Sequence, residues 1–231
     1  MEATSTRERI VEAAAALLAE GGREAVSTRA VSAAAGVQAP TIYRIFGDKR
    51  GLLDAVGSHG FAAYLRSKTT RERDPDPVAD LRRGWDLHVG FGLAHPALYT
   101  LIYGEPRPGV ESPAQRDAAA VLADMVRRIA EAGRLRVSEQ RAAHLVHSAG
   151  VGITFTLIGL APDERDPALA ELARESVLAA VTTDPAPHAA PDAGPVPTAV
   201  ALRAALPQLS TLSCGERGLL REWLDRVAAD R

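Results

Sequence analysis

Apolar residues recur at helical spacing along most of the chain, and each apolar run lies between residues that start or stop helices. The first run begins at Ile10, after a capping box formed by Ser5 and Glu8, and it stops at Gly21 and Gly22. The same punctuation returns along the rest of the sequence. It predicts an all-α fold.

Two short helices joined by a tight turn are predicted in the next segment. The first turns Val31, Ala34 and Ala35 inward, and the second is exposed and built from small, hydroxylated and basic residues. This pair fits the geometry of a helix-turn-helix, whose second helix enters the major groove of DNA. The predicted bounds are a cap at Ser27 or Thr28 and an end at Gly36 for the first helix, then Ala39 or Pro40 to Phe46 for the second, with a longer third helix from Asp48 to about Arg71.

A strong break, Asp-Pro-Asp-Pro at positions 74–77, marks the predicted boundary between this head and a helical body. Capping residues and prolines then divide the body into five predicted helices. These run from about Val78 to His95, Pro96 to Tyr103, Ser112 to Gly133, Ser138 to Leu160 and Pro167 to Thr182.

The composition changes at residues 184–197, which hold five prolines and Val196 as the one large hydrophobe. Such a segment has no core of its own, so we expect a flexible connection. Two short helices follow, one from about Thr198 to Leu206 and one beginning with a capping box at Ser213. The predicted domains are 1–56 for the head with a linking helix to about 73, 74–183 for the body, 184–197 for the connection and 198–231 for a C-terminal helical pair.

The distribution of charge suits a small DNA-binding head, and the cysteine content excludes two kinds of cross-link. The 231 residues carry a net charge of −2, but residues 1–73 hold 11 Lys and Arg against 8 Asp and Glu, so a mildly basic head joins an acidic body. The single cysteine, Cys214, excludes an internal disulfide and a cysteine-based metal cluster, and we expect it to be a small buried side chain.

Nothing in the sequence resembles a targeting or membrane segment. The N-terminus mixes charges into a short apolar stripe, unlike a signal peptide. The uncharged stretch from Leu145 to Ala161 falls short of the ~20 residues that a bilayer span needs, so it is predicted to be a buried helix. We therefore expect a cytoplasmic protein with no membrane partner.

The motifs around the predicted turn resemble the N-terminal DNA-binding domain of the TetR family of transcriptional regulators. The resemblance covers about residues 6–56 and lies in Ser-Thr-Arg at 27–29, Ala-Gly-Val at 35–37, Pro-Thr-Ile-Tyr-Arg-Ile-Phe at 40–46 and Asp-Lys-Arg-Gly-Leu-Leu at 48–53. The rest of the chain is similar to that family only in architecture, a divergent helical body that usually binds a small molecule and dimerises.

The resemblance implies a set of DNA contacts that the side-chain chemistry supports. Thr28 at a helix N-terminus, Tyr43 and Lys49 suit phosphates, while Thr41 and Arg44 suit base edges. Thr28 could instead only cap its helix, and Arg44 could clamp a phosphate or lie in solvent. The complete predicted set is Thr28, Arg29, Gln38, Ala39, Pro40, Thr41, Tyr43, Arg44 and Lys49.

Aromatic and imidazole side chains concentrate in the first part of the body, where the resemblance implies a cavity for a small-molecule effector. An apolar cavity with a few polar anchors is the usual composition of such a site, although each of these residues could equally be a core filler. The candidates are Trp85, His88, Phe91, His95, Tyr99, Tyr103, Met125, His147 and Phe155.

Other chemistry is not indicated. His144 and His147 share a helix face, but no carboxylate or thiol stands near them at ligand spacing, so we expect no metal site. There is no nucleophile elbow, phosphate loop or paired-carboxylate signature, so we expect neither an enzyme nor a cofactor.

Together these features predict a homodimeric, ligand-responsive transcription factor that binds double-stranded DNA at a palindromic operator, most simply as a repressor. The family resemblance implies that the helices at about Ser138–Leu160 and Pro167–Thr182 form the dimer interface. One alternative is a helical small-molecule-binding or catalytic protein whose head has lost DNA binding. The other is an activator or constitutive regulator without ligand-controlled repression.

Overall fold

The computed structural model describes residues 5–70, 72–106, 108–183 and 194–229, and the all-α fold predicted from the sequence is confirmed. Short 3-10 helices lie at Pro162–Glu164 and Leu206–Gln208, and Leu135 forms an isolated antiparallel bridge with Thr182. The α-helices are α1 Thr6–Ala25, α2 Thr28–Ala35, α3 Ala39–Phe46, α4 Lys49–Thr69, α5 Pro77–Ala94, α6 Pro96–Tyr103, α7 Pro113–Glu131, α8 Glu139–Gly159, α9 Pro167–Val181, α10 Pro195–Ala205 and α11 Cys214–Ala229.

The chain divides into two compact units. The first comprises Met1–Arg71 and Gly90–Ala118, and the second comprises Glu72–Val89 and Ala119–Arg231. The first unit therefore includes α6 together with the helix-turn-helix, because Ala97, Leu98 and Leu101 pack against the core of the head. The predicted domain boundary at residue 74 did not anticipate this association.

The head is a small helical bundle around one apolar cluster. Helices α1 to α4 all contribute to it, so each helix of the head is held by the others. The fully buried members are Ile10, Val11, Ala14, Leu18, Val26, Val31, Ile42, Leu52, Leu53 and Val56.

Helix α1 begins at the predicted cap, but the predicted stop at Gly21 and Gly22 is an interruption within a helix that runs on to Ala25. The Ser5 hydroxyl accepts the Glu8 backbone N–H at 3.2 Å, and the Glu8 carboxylate accepts the Ser5 N–H at 2.8 Å, which completes the capping box. The backbone leaves helical geometry at Gly21 and Gly22, and one further turn continues to Ala25.

The turn between α2 and α3 depends on Gly36. Its φ of 63° and ψ of 41° lie in the left-handed region, which costs a glycine little and other residues more. The next amide, of Val37, donates to the carbonyl of Ser32 at 3.0 Å and closes the end of α2. Val31 of α2 is buried as predicted, but Ala34 is exposed because this short helix packs along a single narrow stripe.

In the second unit, the predicted break at 74–77 forms the start of α5. The Asp76 carboxylate accepts the Val78 N–H at 2.9 Å and forms an ion pair with Arg134. Asp80, which is only 2% exposed, accepts a hydrogen bond of 2.7 Å from Arg128. The segment at 74–77 is therefore the start of a helix that is held in place by charge-assisted hydrogen bonds.

Helix α8 differs from the buried helix predicted for residues 145–161. Only 28% of its most apolar 18-residue window is buried, because a single stripe through Val146, Gly150 and Thr154 packs inward. It is also the one helix among the described ranges that is long and apolar enough for a membrane span, which a soluble core helix equally satisfies. Most of its apolar and small side chains lie outside the core of one chain.

The C-terminal pair forms its own small cluster, in which Ala199, Leu206 and Leu224 are buried. Helix α10 begins at Pro195, three residues earlier than predicted, because a proline is well accommodated in the first turn of a helix. Residues 195–197 thus belong to this helix and Gly194 is its N-cap, while 184–193 of the predicted connection lie outside the described residues. The prediction for Cys214 is wrong, since this residue is exposed at the start of α11.

Candidate functional site

The recognition helix α3 presents one face to the core and the opposite face to solvent. Ile42 is 1% exposed and lies in the core of the head, whereas the neighbouring Tyr43 is 51% exposed and Arg44 is also exposed. At 3.6 residues per turn, adjacent side chains of an α-helix point about 100° apart. The exposed face of α3 is therefore available for a partner.

The predicted DNA contacts lie on the surface of the head to different extents, and their contact roles stay predictions. Six of them are exposed, and the other three are half-buried at the edges of α2 and α3. The exposed residues are Arg29, Gln38, Pro40, Tyr43, Arg44 and Lys49, and the half-buried residues are Thr28, Ala39 and Thr41.

At the N-termini of α2 and α3, the side chains of two predicted DNA contacts are not occupied by helix capping. The Ser27 hydroxyl accepts the Ala30 N–H at 3.1 Å, so Ser27 and not Thr28 caps α2. At α3, the N-cap residue Gln38 makes no side-chain capping hydrogen bond. The hydroxyl of Thr28 and the amide of Gln38 are thus not used for capping.

The turn after α3 fixes the position of Lys49. The Asp48 carboxylate accepts the Gly51 N–H at 2.7 Å and caps α4, as predicted. A Cβ atom at Gly51 would lie 2.0 Å from the carbonyl oxygen of Phe46, so only glycine permits this close approach of α4 to the end of α3. Lys49, the first residue of α4, is held at the end of the recognition helix.

Four of the predicted effector contacts lie in the first unit, within an aromatic cluster. Phe91 stacks on Tyr64 with a centroid separation of 4.6 Å and meets Phe61 edge-on at 5.2 Å. Burial raises the pKa of the Tyr64 phenol. Phe61 and Tyr64 were not among the predicted residues, although their spacing on α4 places them on one helix face. Three of the predicted members, Phe91, Tyr99 and Tyr103, are buried, and the fourth, His95, is exposed at the start of α6.

The other predicted contacts lie in the second unit. A Cβ at Gly150 would stand 3.6 Å from ring atoms of both Trp85 and His88, so α8 approaches α5 closely there. The buried Trp85 Nε1 has no hydrogen-bond partner within the described part of the chain. The remaining candidates are Met125, which is buried, Phe155, which is half-buried, and His147, which is exposed on α8.

A groove of about 630 Å³ lies within the second unit and was not predicted. It is lined by the first half of α8, by α10 and by α11, with His144, Leu145 and Arg203 among its residues. Arg203 donates to Glu139 at 3.1 Å and pairs with Asp225. In the described ranges, no group of three or more His, Cys, Asp or Glu side chains is arranged to hold a metal ion.

The exposed α3, its caps and the helical second unit define a helix-turn-helix protein with an attached helical body. Residues 10–56 match the model of the family described as bacterial regulatory proteins, tetR family. The resemblance to the TetR family of transcriptional regulators is therefore confirmed, and the chain has the fold of those regulators.

Solved structures extend the likeness of fold beyond the head. A protein of unknown function from Rhodococcus sp. RHA1 is 24% identical with a TM-score of 0.65, over 79% of this chain and 98% of that one. A putative TetR family transcriptional regulator from Vibrio parahaemolyticus is 23% identical with a TM-score of 0.56, over 78% and 100%. A TetR variant from Acinetobacter baumannii AYE in complex with minocycline is 21% identical with a TM-score of 0.56, over 74% and 93%. At these identities the likeness shows the fold, and no curated protein matches in sequence.

Proposed function

We propose that this protein is a homodimeric, cytoplasmic transcriptional repressor that binds a palindromic operator and is released by a small-molecule effector. The observation that carries the proposal is the exposed face of α3, on which Tyr43 and Arg44 project beside Thr41. A hydroxyl, a phenol and a guanidinium on one short exposed helix suit base edges and phosphates in the major groove.

Two helices of the second unit support dimerisation. Leu145 of α8 is 43% exposed and Leu172 of α9 is 62% exposed, among exposed small residues such as Gly152 and Ser176. Small residues allow the backbones of partner helices to approach, and exposed leucines gain from burial, at ~25 cal/mol per Å². A dimer supplies two α3 helices, and binding to successive major grooves requires them to lie roughly 34–36 Å apart.

A buried hydrogen-bond donor in the second unit supports the proposal of an effector whose polar group accepts a hydrogen bond. A buried N–H without a partner, such as that of Trp85, costs about 1–3 kcal/mol, and an acceptor on a ligand would recover that cost. The Acinetobacter protein of similar fold was solved in complex with minocycline, which supports the proposal of a small-molecule effector here. The effector acts on DNA binding only through its different affinity for two states of the dimer, commonly by about 1–3 kcal/mol.

The experiment is selection of bound duplexes from a random DNA pool, followed by measurement of the mass of the complex. We expect enrichment of an inverted repeat and two chains per duplex. The matched control is Arg221→Ala, which removes an exposed arginine of α11 outside the head and should select the same repeat. Failure to enrich any sequence would leave a helical ligand-binding protein as the better description.

The effector is tested on the selected operator with a panel of small molecules. Release of the protein from DNA, accompanied by a change in the fluorescence of Trp85 in a Trp223→Phe variant, identifies an effector bound in the body. Trp223 is 52% exposed and Trp85 is 4% exposed, so the variant isolates the buried indole. Operator binding that no compound changes would favour a constitutive regulator.

A further inference from the structure

Arg7 is an exposed residue in the first turn of helix α1. Helix α1 buries Ile10, Val11 and Ala14 on the face that packs against the helix-turn-helix. Arg7 precedes Ile10 and Val11 by three and four residues, so it lies on that same face, in the first turn of the helix. Arg9, at about 100° per residue, lies about 200° around the helix and faces away.

The guanidinium of Arg7 is held against the recognition helix. Its Cζ atom lies 5.4 Å from the ring centroid of Phe46, the last residue of α3. A cation within ~6 Å of an aromatic face is attracted by the ring, while the apolar stem of the arginine covers it. The Phe46 ring is in turn packed on the core of the head, so the guanidinium contacts a ring whose position is fixed.

The contact between Arg7 and Phe46 lies on the side of α3 that carries Tyr43. Phe46 follows Tyr43 by three residues, so the two side chains are neighbours along the helix surface. Tyr43 is 51% exposed and is a predicted phosphate contact. Beyond Phe46, the chain turns into α4 and reaches Lys49, the other predicted phosphate contact at this end.

We propose that Arg7 is a further DNA-backbone contact, supplied by α1 from outside the helix-turn-helix and directed at a phosphate on the Tyr43 side of α3. A guanidinium is always charged and its planar fork matches phosphate oxygens. The nearby Glu8 carboxylate is directed at the helix cap, where it accepts the Ser5 N–H at 2.8 Å. The proposal rests on the proposed DNA-binding function.

The test compares Arg7→Ala, Arg7→Lys and the matched control Arg9→Ala, with Lys49→Ala as a reference. Fluorescence anisotropy gives Kd on the selected operator and on an unrelated duplex over a series of salt concentrations. For Arg7→Ala we expect weaker binding on both duplexes and a salt slope smaller by about 1 for each chain bound. Arg7→Lys retains the charge and should keep the slope, and Arg9→Ala should resemble the wild type.

A merely structural role for Arg7 would lower the melting temperature and the affinity while leaving the salt slope unchanged. That result, or an equal loss of slope in Arg9→Ala, overturns the proposal even when Lys49→Ala lowers the slope. Absence of duplex binding by the wild-type protein at low salt instead overturns the DNA-binding function itself, and this inference with it.

Discussion

Arg44 and Lys49 are both exposed cations of the head, but their side chains suit different parts of DNA. Arg44 projects from the last turn of α3, and its planar fork can pair with the two acceptors on the edge of guanine. Lys49 begins α4 and offers a flexible point charge, which suits a phosphate and carries no sequence information.

We expect Arg44→Ala to relax the preference at one base pair of each half-site, at a cost of about 1–3 kcal/mol for the preferred base. The measurement is competition between the selected operator and single-substituted operators. An equal loss of affinity on all of these duplexes would assign Arg44 to the backbone instead.

Lys49→Ala should weaken binding to all sequences about equally and lower the salt slope by roughly 1 for each chain bound. The reason is that each phosphate neutralised by a lysine releases condensed counterions. A titration of the operator and a random duplex over several salt concentrations measures both effects. A slope equal to that of the wild type would refute the phosphate contact.

At the scale of helices, α5 and α9 are joined by a charged pair within the second unit. The Arg82 Nε donates to both carboxylate oxygens of Glu175, at 3.0 and 3.1 Å. Arg174 adds a hydrogen bond of 2.8 Å to the same carboxylate. The hydrogen bonds from Arg82, followed by those from Arg174, lower the pKa of Glu175 below its ordinary value.

A lowered carboxyl pKa stabilises the folded state above the pKa of the unfolded chain, and this contribution is lost as the pH falls through the folded-state pKa. We therefore expect Glu175→Gln to reduce the free energy of unfolding near pH 7, by about 1 kcal/mol or less because the pair is partly exposed. The variant and the wild type should converge as the pH falls from the ordinary glutamate pKa, about 4.3, through the lowered folded-state pKa of Glu175.

Urea unfolding at a series of pH values measures this difference. The matched control is Glu171→Gln, which removes a 68% exposed carboxylate with one long contact of 3.4 Å to Arg174 and should change little. A difference between Glu175→Gln and the wild type that is constant with pH would show that the charge of Glu175 is not the cause.

At the scale of the whole molecule, the apolar surface left on α8 and α9 determines the predicted assembly. We expect Leu172→Glu to convert the dimer to a monomer, because a carboxylate buried without a partner in an interface is costly. Sedimentation equilibrium over a range of concentrations measures the change. Loss of the dimer should also weaken operator binding, because one chain presents only one recognition helix.

The matched control for the dimer is Leu202→Glu, which changes another exposed leucine, on α10, outside the predicted interface. This variant should sediment as the wild type does. A dimer that survives Leu172→Glu but dissociates in Leu202→Glu would place the interface on the C-terminal pair instead.

Several helix starts and the family resemblance of the head were predictable because they depend on residues close together in sequence. The capping boxes at Ser5 and Ser213 and the cap at Asp48 act within one turn, so the helices begin where these residues stand. The motifs at 27–53 are likewise local, and they indicated the family and the exposed recognition helix.

How much of each apolar helix face is buried was decided by the tertiary structure. Three features depend on residues that are distant along the chain: the exposure of Cys214, the low burial of α8 and the position of Arg7 over the Phe46 ring. A periodic pattern shows that a helix has an apolar face, but it does not show how much partner surface exists to cover that face. Helix formation is a matter of neighbouring residues, whereas burial requires the rest of the molecule to be in place.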